Sequence, residues 1–281
     1  MSGCLASTMA LTDTAGKYRT AEIHWPAPRT ATRGRLALVV ALHGRSGNGA
    51  AIAELTDFNE RADAAGFAVL YPNALAENPV WRRESAWDLG LGSDTDAIVA
   101  FIEQAVAAGC VDNRRVYATG YSLGGGMAAV LGCRRPDLFA AIAPVAGIYG
   151  SEWLGECMPS EPVGIIAFHG TADTVLHYEG GLIDAEGFTE KPTVPVPQWA
   201  AEWANRNGCQ TSASEQPIGS DVVERRWSGC DAPVELYAIQ EGGHTWPGSA
   251  SNEPALGYST QTISATQLMW SFFEATARFV D

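Results

Sequence analysis

Arg115-Val116-Tyr117-Ala118-Thr119-Gly120-Tyr121-Ser122-Leu123-Gly124-Gly125-Gly126-Met127-Ala128 runs from a short β-type segment, through a glycine-flanked serine, into a stretch of small residues with helical character. Its centre, Gly120 to Gly124, fits G-x-S-x-G. In a chain with 30 Gly the pattern alone carries little weight, and its placement between a strand and a helix is what counts. A strand, sharp turn and helix hold a serine hydroxyl exposed in a strained turn, while the flanking glycines let the backbone approach closely. Ser122 is therefore the candidate nucleophile.

Working outward, short apolar runs alternate with segments of helical period. Strands are expected at 35–43, 67–71, 115–121, 140–145, 163–169 and 234–239, with an antiparallel start at 18–24. Helices are expected at 50–65, 93–108, 123–134, 197–207 and 262–279. Continuously apolar strands alternating with helices predict an α/β domain whose mostly parallel central sheet is covered on both faces. No repeat or linker-like break interrupts the pattern, so residues 1–281 read as a single domain. The segments 149–162 and 178–197 are too short for a large cap domain.

Composition narrows the function classes. With 46% hydrophobic and 18% charged residues, disorder is excluded. No apolar run approaches the roughly 18 residues of a membrane span, and no signal-peptide pattern stands at the N-terminus. The net charge of -14, from 32 Asp and Glu against 18 Lys and Arg, opposes nucleic-acid binding. It also favours a neutral substrate over an anionic polymer. None of the six cysteines forms C-x-x-C, which argues against a zinc ribbon or a thioredoxin-like site and points to disulfides and an oxidising compartment.

A serine needs a base at neutral pH, and the base needs an acid to orient it, in the chain order serine, acid, histidine. Gly242-Gly243-His244-Thr245-Trp246 follows the last strand, which makes His244 the candidate base. His169, inside an apolar strand, reads as a structural histidine, and His177 as a loop residue. Asp173, just past the strand ending at His169, is the candidate acid, with Asp184 and Glu186 as weaker alternatives. The N–H of Leu123 supplies one oxyanion donor by position, and that of Arg45, in His43-Gly44-Arg45-Ser46-Gly47, is nominated as the second, with Gly44 as its rival. The glycine spacing there does not match G-x-G-x-x-G. No metal or organic cofactor is required.

Taken together, His43-Gly44, the Arg114–Gly125 run, the Pro136–Ala141 run, His169-Gly170-Thr171-Ala172-Asp173 and the Gly242–Gly248 run resemble secreted esterases related to polyhydroxybutyrate depolymerases and feruloyl or acetyl xylan esterases. The resemblance covers most of the chain and implies an α/β-hydrolase fold with Ser122, Asp173 and His244 as triad. It implies a serine carboxylic-ester hydrolase acting on plant cell-wall esters, with a short-chain polyester hydrolase as the alternative. A catalytically silent binding module, the alternative from another class, would be expected to lack a triad member. Leu123 departs from relatives that carry Asn, Ala or an aromatic residue after the serine. Trp87, Tyr121 and Trp246 are candidates to line the cleft, since aromatic faces suit phenolic and sugar groups. The family also implies a Cys209–Cys230 disulfide. Cys110, Cys133 and Cys157 are possible mutual partners with open connectivity, and Cys4 is unassigned. A secreted or periplasmic location is expected, its export signal absent from this sequence. Beyond an ester substrate no partner is implied, and the oligomeric state stays open.

Overall fold

The structure is a computed structural model that describes residues 6–27, 34–75, 87, 89, 93–150, 157–183 and 192–278. Cys4, Asp184 and Glu186 lie outside the described residues. Strands β1 (Thr8–Thr12), β2 (Tyr18–His24), β3 (Leu36–Leu42), β4 (Ala68–Pro72), β5 (Val111–Tyr121), β6 (Ala141–Val145), β7 (Gly164–Gly170), β8 (Ser214–Ile218), β9 (Val222–Trp227) and β10 (Val234–Ile239) are interleaved with six α-helices among the described residues. The helices are α1 (Gly49–Thr56), α2 (Phe58–Ala65), α3 (Ser93–Ala107), α4 (Leu123–Arg134), α5 (Val196–Arg206) and α6 (Ala265–Glu274).

The strands form one sheet in the order β1-β2-β4-β3-β5-β6-β7-β10-β9-β8. Its centre, from β4 to β10, is parallel, with antiparallel pairs at both edges. Alternation along β3 shows how the two faces are filled. Leu38, Val40 and Leu42 join a cluster with Phe101 of α3, Met127 of α4 and Trp199 of α5, whereas Val39 and Ala41 join Ile52 of α1, Phe58 of α2 and Phe273 of α6. Successive side chains of a strand point to opposite faces, and an apolar run is the pattern of a strand buried on both.

Several expectations needed correction. The helix foreseen at 50–65 is two helices, broken at Asp57, whose φ of 53° ends α1 and starts α2 while Phe58 turns fully inward. The C-terminal helix is shorter than expected: the Ser264 side chain accepts the Gln267 N–H at its start, and it ends at Glu274. Strands β1, β8 and β9 were not foreseen. They sit at the sheet edges, where exposed polar residues hide the strand period, and β8 is exposed along nearly its whole length.

Cys209 and Cys230 pair across the β8–β9 hairpin, and Cys133 pairs with Cys157. Cys110 is also disulfide-bonded. No helix among the described residues is long and apolar enough to cross a membrane.

Candidate active site

Because β3, β5, β7 and β10 run parallel, the loops leaving their C-terminal ends share one edge of the sheet, the usual address of a ligand site in α/β folds. Ser122 follows β5 directly. Its φ of 58° and ψ of -118° put a non-glycine residue in a strained conformation, held by its N–H to Val145 O at 2.9 Å and by Gly126 N–H to its own carbonyl at 3.1 Å. A Cβ on Gly124 would fall under 3.0 Å from the backbone of Leu42 and His43. The bare backbone there lets the first turn of α4 seat on the end of β3, beside the loop nominated for the second oxyanion donor.

That loop is braced from below. The buried His43 donates from Nδ1 to Gly44 O at 2.7 Å and accepts the Ala74 N–H at Nε2 at 3.1 Å, so its partners settle the tautomer. Burial is the main cause that pushes the His43 pKa down, which keeps the ring neutral and Nε2 able to accept. A Cβ on Gly44 would lie 3.4 Å from Ser122 Cβ, which places the 43–47 loop against the serine, with Arg45 next in the chain. His43 was missed as a supporting residue. Its place directly before the glycine loop, at the end of a buried strand, was the available signal.

At the far side of the edge, Asp173 and His244 meet. His244 Nδ1 donates to Asp173 Oδ2 at 2.7 Å, and both residues are buried. The other carboxylate oxygen, Oδ1, accepts the N–H groups of Val175 and Leu176, each at 2.8 Å. Burial alone would raise the Asp173 carboxyl. Hydrogen bonds from His169 and His244, with their charge, outweigh it and hold the carboxyl far below the usual range. His169 itself donates from Nε2 to Leu176 O at 2.8 Å, as a structural histidine should, yet that atom also lies 3.4 Å from Asp173 Oδ2.

The aromatic candidates divide. Tyr121 belongs to the site: its ring lies 4.9 Å from that of His244, and its hydroxyl donates to His244 O at 2.6 Å. A cleft of about 490 Å³ opens beside it, bounded by Gly44, Arg45 and Leu256 among others. Trp246 does not line it. The indole is 1% exposed, sits edge-on to Phe58 and donates to Thr266 Oγ1 at 3.0 Å, because the residue two after the histidine turns back into the core. Trp87 is likewise a brace and not a wall, buried with its N–H given to His43 O at 2.7 Å.

A strained serine, a buried carboxylate and imidazole pair and a braced glycine loop on one sheet edge can perform acyl transfer. The family model described as Esterase PHB depolymerase matches residues 23–158. A probable feruloyl esterase C of Aspergillus niger is 30% identical over 246 residues, covering 85% of this chain and 77% of that protein. The chain belongs to this esterase family. Within the family, the putative esterase NocK of Nocardia uniformis subsp. tsuyamanensis is 29% identical over 95% of this chain and 80% of its own length. Feruloyl esterase B of Piromyces equi is 34% identical over 57% of this chain, which spans 31% of that longer relative. An acetyl xylan esterase from Aspergillus awamori superposes with a TM-score of 0.63 at 19% identity, covering 85% of this chain and 94% of that one, and so shares its α/β-hydrolase fold. The esterase described here is a carboxylic-ester hydrolase.

Proposed function

We propose that this esterase cleaves plant cell-wall esters through a serine acyl-enzyme, with Ser122 as nucleophile, His244 as base and Asp173 as the acid that orients it. The observation that carries the assignment is the 2.7 Å bond from His244 Nδ1 to Asp173 Oδ2, which leaves Nε2 as the proton acceptor. The Ser122 hydroxyl attacks the ester carbonyl as its proton passes to His244 Nε2. The N–H groups of Leu123 and Arg45 stabilise the oxyanion, and the imidazolium then protonates the leaving alcohol. Water repeats the sequence to release the acid. Asp173 holds the tautomer and stabilises the imidazolium. The Tyr121 phenol, anchored on the His244 carbonyl, fixes the loop that carries the base.

The feruloyl esterases among the relatives support a hydroxycinnamoyl or acetyl ester of a cell-wall polysaccharide, and the net charge of -14 favours a neutral one. The two described disulfide pairs support action outside the cytoplasm. A short-chain polyester is the second reading, drawn from the family description. Rates on methyl ferulate, acetylated xylan and hydroxybutyrate oligomers separate these readings. Ser122→Ala is expected to fold normally and lose several orders of magnitude on the best of them. Near-normal turnover by that variant sinks the assignment, and no turnover of any ester by the parent protein would leave the silent binding module.

A further inference from the structure

We infer that His169 is a positioning residue for the acid of the triad: it clamps the turn that holds the Asp173 carboxylate and faces the oxygen that His244 uses. The inference rests on the reading of Ser122, Asp173 and His244 as a triad, and adds a second histidine to it.

Strand β7 fixes the ring. It lies between β6 and β10, and His169 pairs with Ala238 one residue before the strand ends, so its backbone is held by the interior of the sheet. The side chain is buried, and Nε2 lies 2.8 Å from Leu176 O, which can only accept, so the ring carries a proton there. Nδ1 has no hydrogen-bond partner among the described residues, and a second proton on it would be a buried donor left unpaired. The turn that follows the strand therefore sets the tautomer.

That turn is the seat of the acid. Leu176 is gripped at both of its peptide groups: its N–H donates to Asp173 Oδ1 at 2.8 Å, and its carbonyl accepts the His169 proton. The Val175 N–H meets the same Oδ1 at 2.8 Å, so Oδ1 is turned to the backbone and Oδ2 is left to the histidines. His244 Nδ1 donates to Oδ2 at 2.7 Å, and His169 Nε2 lies 3.4 Å from it. That second contact is long for a hydrogen bond, yet in a buried site the positive end of an N–H still favours an ionised carboxylate. The larger share passes through Leu176. The Ala172 N–H, given to Gly242 O at 2.9 Å, secures the start of the turn to the base loop, and His169 secures its end. Without the His169 N–H the turn loses its tie to β7, and the carboxylate is freer to rotate away from His244.

The surroundings leave Asp173 as the charge that this N–H meets. Tyr149 and Tyr178 face the ring with centroids 6.4 Å and 6.0 Å away, and burial pushes both phenols up, so neither is ionised at neutral pH. Arg225 gives its Nη1 to the Tyr178 hydroxyl at 3.3 Å.

The test is a double-mutant cycle read in kcat and KM on the best ester. His169→Phe, which keeps a ring and removes the N–H, is expected to lower kcat about tenfold with KM within about twofold of the parent. His169→Gln restores an N–H donor at similar reach and is expected to recover most of that loss, a rescue that a merely structural histidine does not give. In an Asp173→Ala background, adding His169→Phe is expected to change kcat by less than about twofold, since the residue acts through the carboxylate. A further loss of about tenfold in that background overturns the inference. So does a rise in KM with kcat intact, or a folded His169→Gln as slow as His169→Phe. The intact protein gives the reading if these variants fail to fold. The His169 Nε2 proton is expected in its nitrogen–proton spectrum, slow to exchange with solvent and moving as His244 is protonated, because both N–H groups face Asp173 Oδ2. A His169 signal indifferent to that protonation overturns the inference. Near-normal turnover by Ser122→Ala overturns the triad beneath it instead, so the two failures are told apart.

Discussion

The phenol of Tyr121 donates a 2.6 Å hydrogen bond to the main-chain carbonyl of His244, tying the residue before the proposed nucleophile Ser122 to its proposed base. The two are 123 positions apart in the chain, and this bond joins the ends of β5 and the β10 loop directly. Tyr121→Phe keeps the ring and strands the carbonyl. We expect kcat on the best ester to fall about tenfold with KM little changed, and stability to drop by about 1 kcal/mol. Steady-state kinetics with urea unfolding checks both, and an equal rise in KM with kcat intact would contradict the positioning role.

Asp173 is buried, paired and held well below the usual carboxylate range. A folded pKa below the unfolded one means that the unfolded chain binds the extra proton first as pH falls, so stability rises with pH. The contribution is complete above about pH 5 and shrinks through the ordinary carboxylate range near pH 4. Asp173→Asn should cost about 10³- to 10⁴-fold in kcat. Its deficit in Tm against the parent should narrow between pH 7 and pH 4, and a deficit constant over that range would contradict the linkage.

Gly124 and Gly34 make a matched pair. A Cβ at Gly124 meets the backbone of Leu42 and His43 under 3.0 Å, whereas one at Gly34 meets nothing among the described residues within 4 Å. Gly124→Ala is expected to lose at least about 3 kcal/mol or fail to fold, since backbone rather than a flexible side chain must move. Gly34→Ala should stay within about 0.5 kcal/mol. Chemical denaturation of both variants measures the contrast.

Arg19, 2% exposed, pairs through its Nη1 with Asp94, 3% exposed, and through Nε with Asp13 at 2.8 Å. The pair joins β2 to the first turn of α3. Removing the cation in Arg19→Met takes the guanidinium away from two buried carboxylates, which should cost about 3 kcal/mol. The double variant Arg19→Met with Asp94→Leu is expected to recover part of that loss. Urea unfolding of the three proteins measures the recovery.

The Cys209–Cys230 bond has a sequence separation of 21 and closes the β8–β9 hairpin. Chain entropy for a loop of that length gives about 3 kcal/mol. The double Cys→Ala variant should lower Tm without changing kcat, because the hairpin lies at the sheet edge, three strands beyond β7.

The central strands are legible in the sequence because burial on both faces leaves continuous apolar runs such as Leu36–Leu42. The β8–β9 hairpin is not, since an edge strand such as Ser214–Ile218 buries almost nothing and carries no period to read. The helix break at Asp57 escapes for a related reason: the 50–65 stretch keeps its helical composition through the turn, and only the burial of Phe58 shows why the chain bends there. At the site, sequence adjacency to His244 makes Trp246 look like a cleft residue, whereas a turn within the loop sends its indole into the core. His169 reads as a structural histidine from its strand, but only the fold shows that its Nε2 also lies 3.4 Å from Asp173 Oδ2 and that His43 Nε2 accepts the Ala74 N–H.

By itself the sequence sets Ser122 between a strand-like run and a helical run with glycines at 120 and 124. It also determines the order of serine, acid and histidine along the chain, and a charge balance that disfavours polyanions. Only the tertiary structure decides that Asp173 meets a histidine 71 residues away, that the Tyr121 hydroxyl bonds the His244 carbonyl, and that Tyr149 stacks on Trp199. The physical reason is range. Strand, turn and helix preferences act between neighbours and are written in local composition, whereas close approaches such as Gly124 on Leu42, burial and hydrogen-bond pairing are set by whichever distant groups the parallel sheet brings to the same edge.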